Sequence, residues 1–258
     1  MLKVQNLSIS FGGQNVFSDV NFIVNDKEKV GLIGRNGSGK STLFKILCGK
    51  INSYDGDVVI PKGYKIGYLE QHLNFTQETL IDEACLALPD YKKDAFWDAE
   101  KILSELGFSE EDKLRSPAEF SGGWQIRLNL AKLLISEPDI LLLDEPTNYL
   151  DILSIRWLKK FLKNYKGSLI LITHDRSFMD DIIDHVVILH RGGSIMITGN
   201  TQDMYEKIQI DEETHEKTRL NDAKKREHVE KFIDRFRYKA TKAKQVQSRI
   251  KMLEKQDV

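Results

Sequence analysis

Residues 34–41 read GRNGSGKS, three glycines followed by a lysine and a serine. A polyphosphate crowds anionic oxygens together. A chain that turns tightly around it can offer backbone N–H groups and the positive end of a helix. Gly34, Gly37 and Gly39 allow the close approach, and Arg35, Asn36 and Ser38 between them supply further amides. Lys40 is placed to reach the outer phosphates, Ser41 to offer its hydroxyl to Mg²⁺, and Thr42 to complete the nucleotide-binding set. A hundred residues on, DILLLDEP (139–146) is an apolar run ending in two acids. Asp144 suits Mg²⁺, held directly or through water. Glu145, one residue further, could activate an attacking water as general base. Two acids ending a strand carry little by themselves. Paired with the glycine loop, they read as the second half of a nucleoside-triphosphate site.

These residues need a sheet to hold them. Residues 4–10 and 16–24 alternate apolar and polar, as half-buried strands do. Residues 29–33 form a strand into the glycine loop, and 41–48 a helix stopped by Gly49. Strands follow at 58–60 and 64–69, helices at 79–88, 93–106 and 122–135. A buried strand at 140–143, a helix at 152–165 and strands at 168–172, 186–189 and 194–198 complete the pattern. Alternating strands and helices predict an α/β fold with a mainly parallel sheet, interrupted by a helical subdomain over about 76–135. Beyond Gly199 there is no Gly or Pro, and a long charged helix is expected.

Order and spacing identify a resemblance. FSGGWQIRLNLAKLL (120–134) resembles the signature of ATP-binding cassette proteins, usually written LSGGQ. LLLDEPTNYLD (141–151) resembles their Walker B segment and D-loop, which ends at Asp151. LILITHDRSF (169–178) resembles the switch segment, with His174 in the switch place. Gln71 matches the Q-loop and Phe11 the aromatic that stacks on adenine. Taken alone, His174 would be an ordinary solvated histidine, Phe11 a core aromatic and Gln71 a surface glutamine.

The resemblance implies a P-loop NTPase cassette over 1–205, with a mainly parallel core sheet, an antiparallel β subdomain and a helical subdomain. It implies ATP with Mg²⁺ as cofactor, Ser41, Gln71 and Asp144 around the metal, and Glu145, His174 and Gln71 in hydrolysis. It also implies a second cassette packed head to tail, with Ser121, Gly122 and Gly123 serving the partner's ATP. One cassette alone should bind ATP and turn it over weakly.

Trp124 and Phe120 depart from LSGGQ and narrow the resemblance to the ABC-F branch, tandem cassettes that act on the ribosome. The end of the chain points the same way. Residues 210–258 hold 14 Lys or Arg against 10 Asp or Glu, although the whole chain has a formal charge of -1. Within 235–253 there are seven cations and no acid: Arg235, Arg237, Lys239, Lys242, Lys244, Arg249 and Lys251. Val229, Phe232, Phe236, Ala240, Ala243, Val246, Ile250 and Leu253 recur at three- and four-residue steps, an apolar seam for a partner helix. The cations outside it suit a phosphate backbone. By resemblance, 206–258 is the start of the linker between two cassettes, cut before the second, and contacts tRNA and rRNA. Too few residues lie between Gln71 and Phe120 for the helical arm that some members insert.

Two cysteines make a disulfide framework improbable, and the chain shows neither secretory leader nor membrane span, so a cytoplasmic protein is expected. The competing readings are a transporter's ATP-binding subunit, a DNA-acting ABC-F relative, and a tail that serves only as a dimerisation coil.

Overall fold

The computed structural model describes residues 1–69, 75–236 and 247. The first compact unit, Met1–Met204, is built on a sheet of nine strands in the order β4-β1-β2-β9-β8-β3-β7-β6-β5. β1 (Leu2–Phe11) and β2 (Gln14–Val24) form a hairpin, with β4 (Asp55–Val59) antiparallel on the far side of β1. Their alternation buries Leu2, Val4, Leu7 and Ile9 from one strand and Phe17, Val20, Phe22 and Val24 from the other. β8 (His185–His190) and β9 (Gly193–Thr198) make a second hairpin, bridged to β2 at Asp19 and Gly193.

The parallel part is β8, β3 (Lys29–Gly34), β7 (Ser168–Ile172), β6 (Ile140–Asp144) and β5 (Ile66–Tyr68). Leu141, Leu142, Leu143, Leu169, Ile170 and Leu171 are all at least 99% buried. Such runs are apolar on both faces because helices cover both faces of a parallel sheet. At Gly31 a side chain would meet Met179 Sδ at 2.7 Å, so glycine lets helix α7 lie close on β3.

Helices α1 (Lys40–Leu47), α6 (Ile152–Asn164) and α7 (Arg176–Asp180) alternate with the strands. Between β5 and β6 lie α2 (Leu80–Cys85), α3 (Phe96–Glu105), α4 (Glu110–Lys113) and α5 (Gly122–Ile135). α2, α3 and α5 pack on one another around Ala84, Leu103, Leu128 and Leu134. α8 (Thr201–Phe236) begins in the first unit and continues into the second, Tyr205–Val258. The described residues contain no helix long and apolar enough to cross a membrane.

Candidate functional site

The phosphate loop leaves β3 at Gly34 and enters α1 at Lys40. Gly39 caps the helix at φ 90°, in the left-handed region. A side chain there would also meet Val16 Cγ1 at 2.5 Å, so only glycine closes this turn. Lys40 Nζ donates to the carbonyls of Gly34 at 2.9 Å and Arg35 at 3.2 Å, which keeps the ammonium over the loop. Arg35, Asn36 and Gly37 are exposed, and Thr42 is half-buried.

Ser41 Oγ donates to Asp144 Oδ2 at 2.7 Å, joining loop and acidic strand across 103 residues of chain. Hydroxyl and carboxylate are hard oxygen donors of the kind Mg²⁺ takes. No group of three or more His, Cys, Asp or Glu near enough to hold a metal occurs among the described residues. A Mg²⁺ here would draw its remaining oxygens from phosphate and water, which is how this ion is ordinarily held on a nucleotide. Ser38 Oγ and Glu145 Oε1 are buried without a hydrogen-bond partner among the described residues. Orphaned buried polar atoms are costly, and two beside one phosphate loop fit a polar ligand. The residues present therefore fit Mg²⁺ with a polyphosphate.

Glu145 has a positive φ of 50°, a strained conformation for a non-glycine residue that turns the chain sharply at the end of β6. Its amide donates to Ile172 O at 2.9 Å, and its Oε2 accepts from Thr173 Oγ1 at 3.3 Å. Burial pushes its carboxyl above the ordinary value; Asp144 adds to that, while His174 and Thr173 pull the other way. His174 Nε2 lies 3.7 Å from Glu145 Oε1 with its side chain 77% exposed, next to the acid and free to face a ligand. A cavity of about 410 Å³ opens beside the two acids, lined by Tyr68, Ile126 and Asn148 among others. Phe11 ends β1 half exposed.

The signature segment starts α5. Ser121 is the N-cap and makes no side-chain capping bond. Gly122 is exposed and a side chain there would meet nothing within 4 Å. The first turn holds no acid, so its N–H groups stand open to an outside anion. Phe120 and Trp124 both pack edge-on against Phe108, at 5.9 and 4.9 Å. The departures from LSGGQ thus make an aromatic brace beneath the open helix end.

Asp151 caps α6, accepting from Leu153 N at 3.0 Å and Ser154 N at 2.9 Å. Those amide bonds, with Arg127 beside it, hold its carboxyl below the ordinary value. Sequence reasoning missed Arg127. It is 7% exposed and lies 4.2 Å over Trp124. It donates to Leu106 O, Tyr149 O and Asp151 Oδ2 at 2.9, 2.7 and 3.1 Å, tying signature helix, D-loop and α3 together. Glu83, 1% exposed, was missed too. It accepts the amides of Thr76 at 2.8 Å and Gln77 at 3.0 Å and pairs with Lys132 of α5. A buried charge at a helical apolar position was the available signal in both cases.

Gln71 lies outside the described residues, as do Arg237, Lys239, Lys242, Lys244, Arg249 and Lys251. Arg235 falls within α8, while the seam from Ala240 to Leu253 is likewise outside.

A family model described as ABC transporter matches residues 17–148, and a second with the same description matches 187–258. The probable ATP-binding protein YheS of Escherichia coli (strain K12) is 35% identical over 100% of this chain and 45% of its own length. ATP-binding cassette sub-family F member 3 of Rattus norvegicus is 31% identical over 98% of this chain and 40% of its own. The chain thus spans about half the length of the curated relatives it matches. A solved structure described as the ATP-binding subunit of an ABC transporter superposes with a TM-score of 0.69. It is 28% identical and covers 84% of this chain and 99% of its own. A dimeric cassette bound to ADP and Pi, 24% identical with a TM-score of 0.61 over 77% of this chain and 98% of its own, shares the fold.

Proposed function

The chain belongs to the ABC transporter family of ATP-binding cassettes, and from that premise we propose that it is the ATP-hydrolysing switch of an ABC-F protein acting on the ribosome. Residues 1–205 are the cassette and 206–258 the linker that contacts tRNA and rRNA. One observation carries the ABC-F reading: the match to the sub-family F relative runs through 98% of this chain, beyond the cassette and into the basic stretch that follows. The separate family match over 187–258 supports it.

In this reading the loop amides and Lys40 bind the triphosphate, and Ser41 and Asp144 hold Mg²⁺. The ion, when bound, neutralises charge on the phosphates. Glu145 takes a proton from the attacking water at its carboxylate, and its raised affinity for protons suits that task. His174 orients at the outer phosphate, Gln71 reaches the metal, and Phe11 stacks on the base. A second cassette, in the same full-length chain or as a homodimer mate, brings Ser121, Gly122 and Gly123 to close the site. ATP closes the pair and hydrolysis reopens it.

Sedimentation without detergent tests this. Partition with ribosomes, weakened by neutralising Lys239, Lys242 and Lys244 and flattened in its salt dependence, is the expected result. Partition with membranes would favour a transporter subunit, the reading that the TM-score of 0.69 to such a protein supports. Preference for branched DNA over ribosomes would favour a DNA-acting relative.

A further inference from the structure

A cavity of about 1020 Å³ lies at the edge of the sheet opposite the phosphate loop. Its floor is the amino ends of parallel strands: Lys27 precedes β3, Tyr64 precedes β5, Asp139 precedes β6 and Ser168 opens β7. Open α/β sheets hold their ligands at the carboxyl ends, so the nucleotide chemistry does not call for a cavity here.

One wall is an aromatic ladder. Trp157, Phe161 and Tyr165 follow at four-residue steps along α6 and its C-cap, on one face. Ring centroids are 5.2 Å apart for the first pair and 6.0 Å for the second, whose planes are within 29° of parallel. The Tyr165 hydroxyl donates to Pro138 O, and the Tyr64 hydroxyl lies 3.4 Å from Ser168 Oγ. Both rings are therefore pinned at their polar ends. Burial pushes both hydroxyls' pKa values up, so they stay neutral donors.

The charges around the cavity are asymmetric in how they are engaged. Asp26 pairs with the N-terminal ammonium at 2.5 Å, and Asp139 accepts the Lys65 amide at 2.7 Å. Glu137 takes Lys92 at 2.7 Å and the Tyr91 hydroxyl at 2.6 Å. By contrast Lys27, Lys101, Lys160 and Lys166 are exposed and make no ion pair among the described residues. Against these four cations stand two lining acids without a cationic partner among the described residues, Glu105 and Asp139, so the unpaired charge at the cavity is net positive.

A ligand with flat rings and repeated negative charge meets both features. Unpaired bases stack on aromatic side chains, and their phosphates seek ammonium groups. We infer that this cavity docks unpaired nucleotides of single-stranded RNA, with bases against the Trp157–Phe161–Tyr165 ladder and phosphates against Lys27, Lys101, Lys160 and Lys166. A duplex keeps its base faces stacked and cannot use the ladder. The site is on the cassette itself, and it stands whether or not the basic tail touches RNA.

The test uses the full chain carrying Lys239→Ala, Lys242→Ala and Lys244→Ala, with saturating ATP so that the phosphate loop does not compete. Fluorescein-labelled oligouridine is followed by anisotropy across salt concentrations. Adding Lys101→Glu, Lys160→Glu and Lys166→Glu should weaken binding about tenfold or more and reduce the salt slope by about 2, since each phosphate contact on a single strand contributes about 0.7. ATP affinity by calorimetry should not move. Oligonucleotides containing 4-thiouridine should crosslink to the stretch 157–165. Unchanged RNA affinity in the triple reversal, or crosslinks confined beyond residue 205, would overturn the proposal. Displacement of the RNA by AMP at equal base concentration would also overturn it, in favour of a mononucleotide site.

Discussion

Two helix N-termini in this molecule open on glycines, and they are equipped very differently. At α1 the loop glycines are joined by Lys40, by Ser41 bound to Asp144 at 2.7 Å, and by the half-buried Glu145 carboxylate with one buried, orphaned oxygen. At α5 there is an uncapped Ser121 and an exposed Gly122, with no charged side chain in the first turn. In the proposed reading the first end grips the triphosphate and Mg²⁺. The second supplies only backbone dipoles and open space, so it can add to a site but not make one. Its aromatic brace and its tie to the D-loop through Arg127 anchor that bare end to its neighbours.

Changes at the two ends should therefore separate binding from turnover. Glu145→Gln is expected to have the largest effect, lowering turnover by roughly 10²–10⁴-fold while ATP still binds. Unchanged turnover would remove the assigned base. Next, Lys40→Ala should weaken ATP affinity about tenfold to a hundredfold, the worth of a charged hydrogen bond; calorimetry reads it directly. Gly122→Asp should leave that affinity alone yet cut turnover about tenfold, because a carboxylate at this N-terminus repels phosphate. The same carboxylate favours the helix dipole, so thermal stability should not fall, and a lost fold cannot pass for a lost function.

Smaller effects come from the frame. Asp151→Ala removes the α6 cap and one partner of buried Arg127. It should cost about 1 kcal/mol and lower Tm by about 2–4 °C. Finally, Glu145 must be ionised to accept a proton, and burial raises its pKa above 4.5. Turnover should thus decline on acidification while pH is still above the ordinary glutamate range. The acid limb should vanish in Glu145→Gln, measured on its residual rate.

Most of the α1 site was legible because local chemistry dictates it. The glycine loop, the strand ending at Asp144 and the helix at 122–135 follow from short patterns, and β7 and α5 fall on the expected residues. Two short helices were not foreseen, α4 and α7, although the Ser109–Asp112 capping box and the Asp175 cap were both readable. Arg127 escaped because its backbone partners Leu106 and Tyr149 are 21 and 22 residues away, and Glu83 because its ion partner Lys132 is 49 residues away. The amino-edge cavity escaped for the same reason. The four-residue steps of Trp157, Phe161 and Tyr165 were readable, but Tyr64, Tyr91 and the strand ends join them only once the strands are ordered. Periodicity reveals which face of an element is apolar, not which distant elements share it.

In the proposed reading the α5 end acts on a nucleotide held by another cassette. Mixing tests it most directly: chain carrying Gly122→Asp is combined with chain carrying Lys40→Ala, and ATP turnover is followed. At sub-saturating ATP, each alone should turn over about tenfold more slowly than the unaltered chain. The mixture should regain turnover, because the intact phosphate loop of the first chain meets the intact signature of the second. A mixture no more active than the sum of its parts, or a Gly122→Asp chain that hydrolyses ATP normally by itself, would contradict the account.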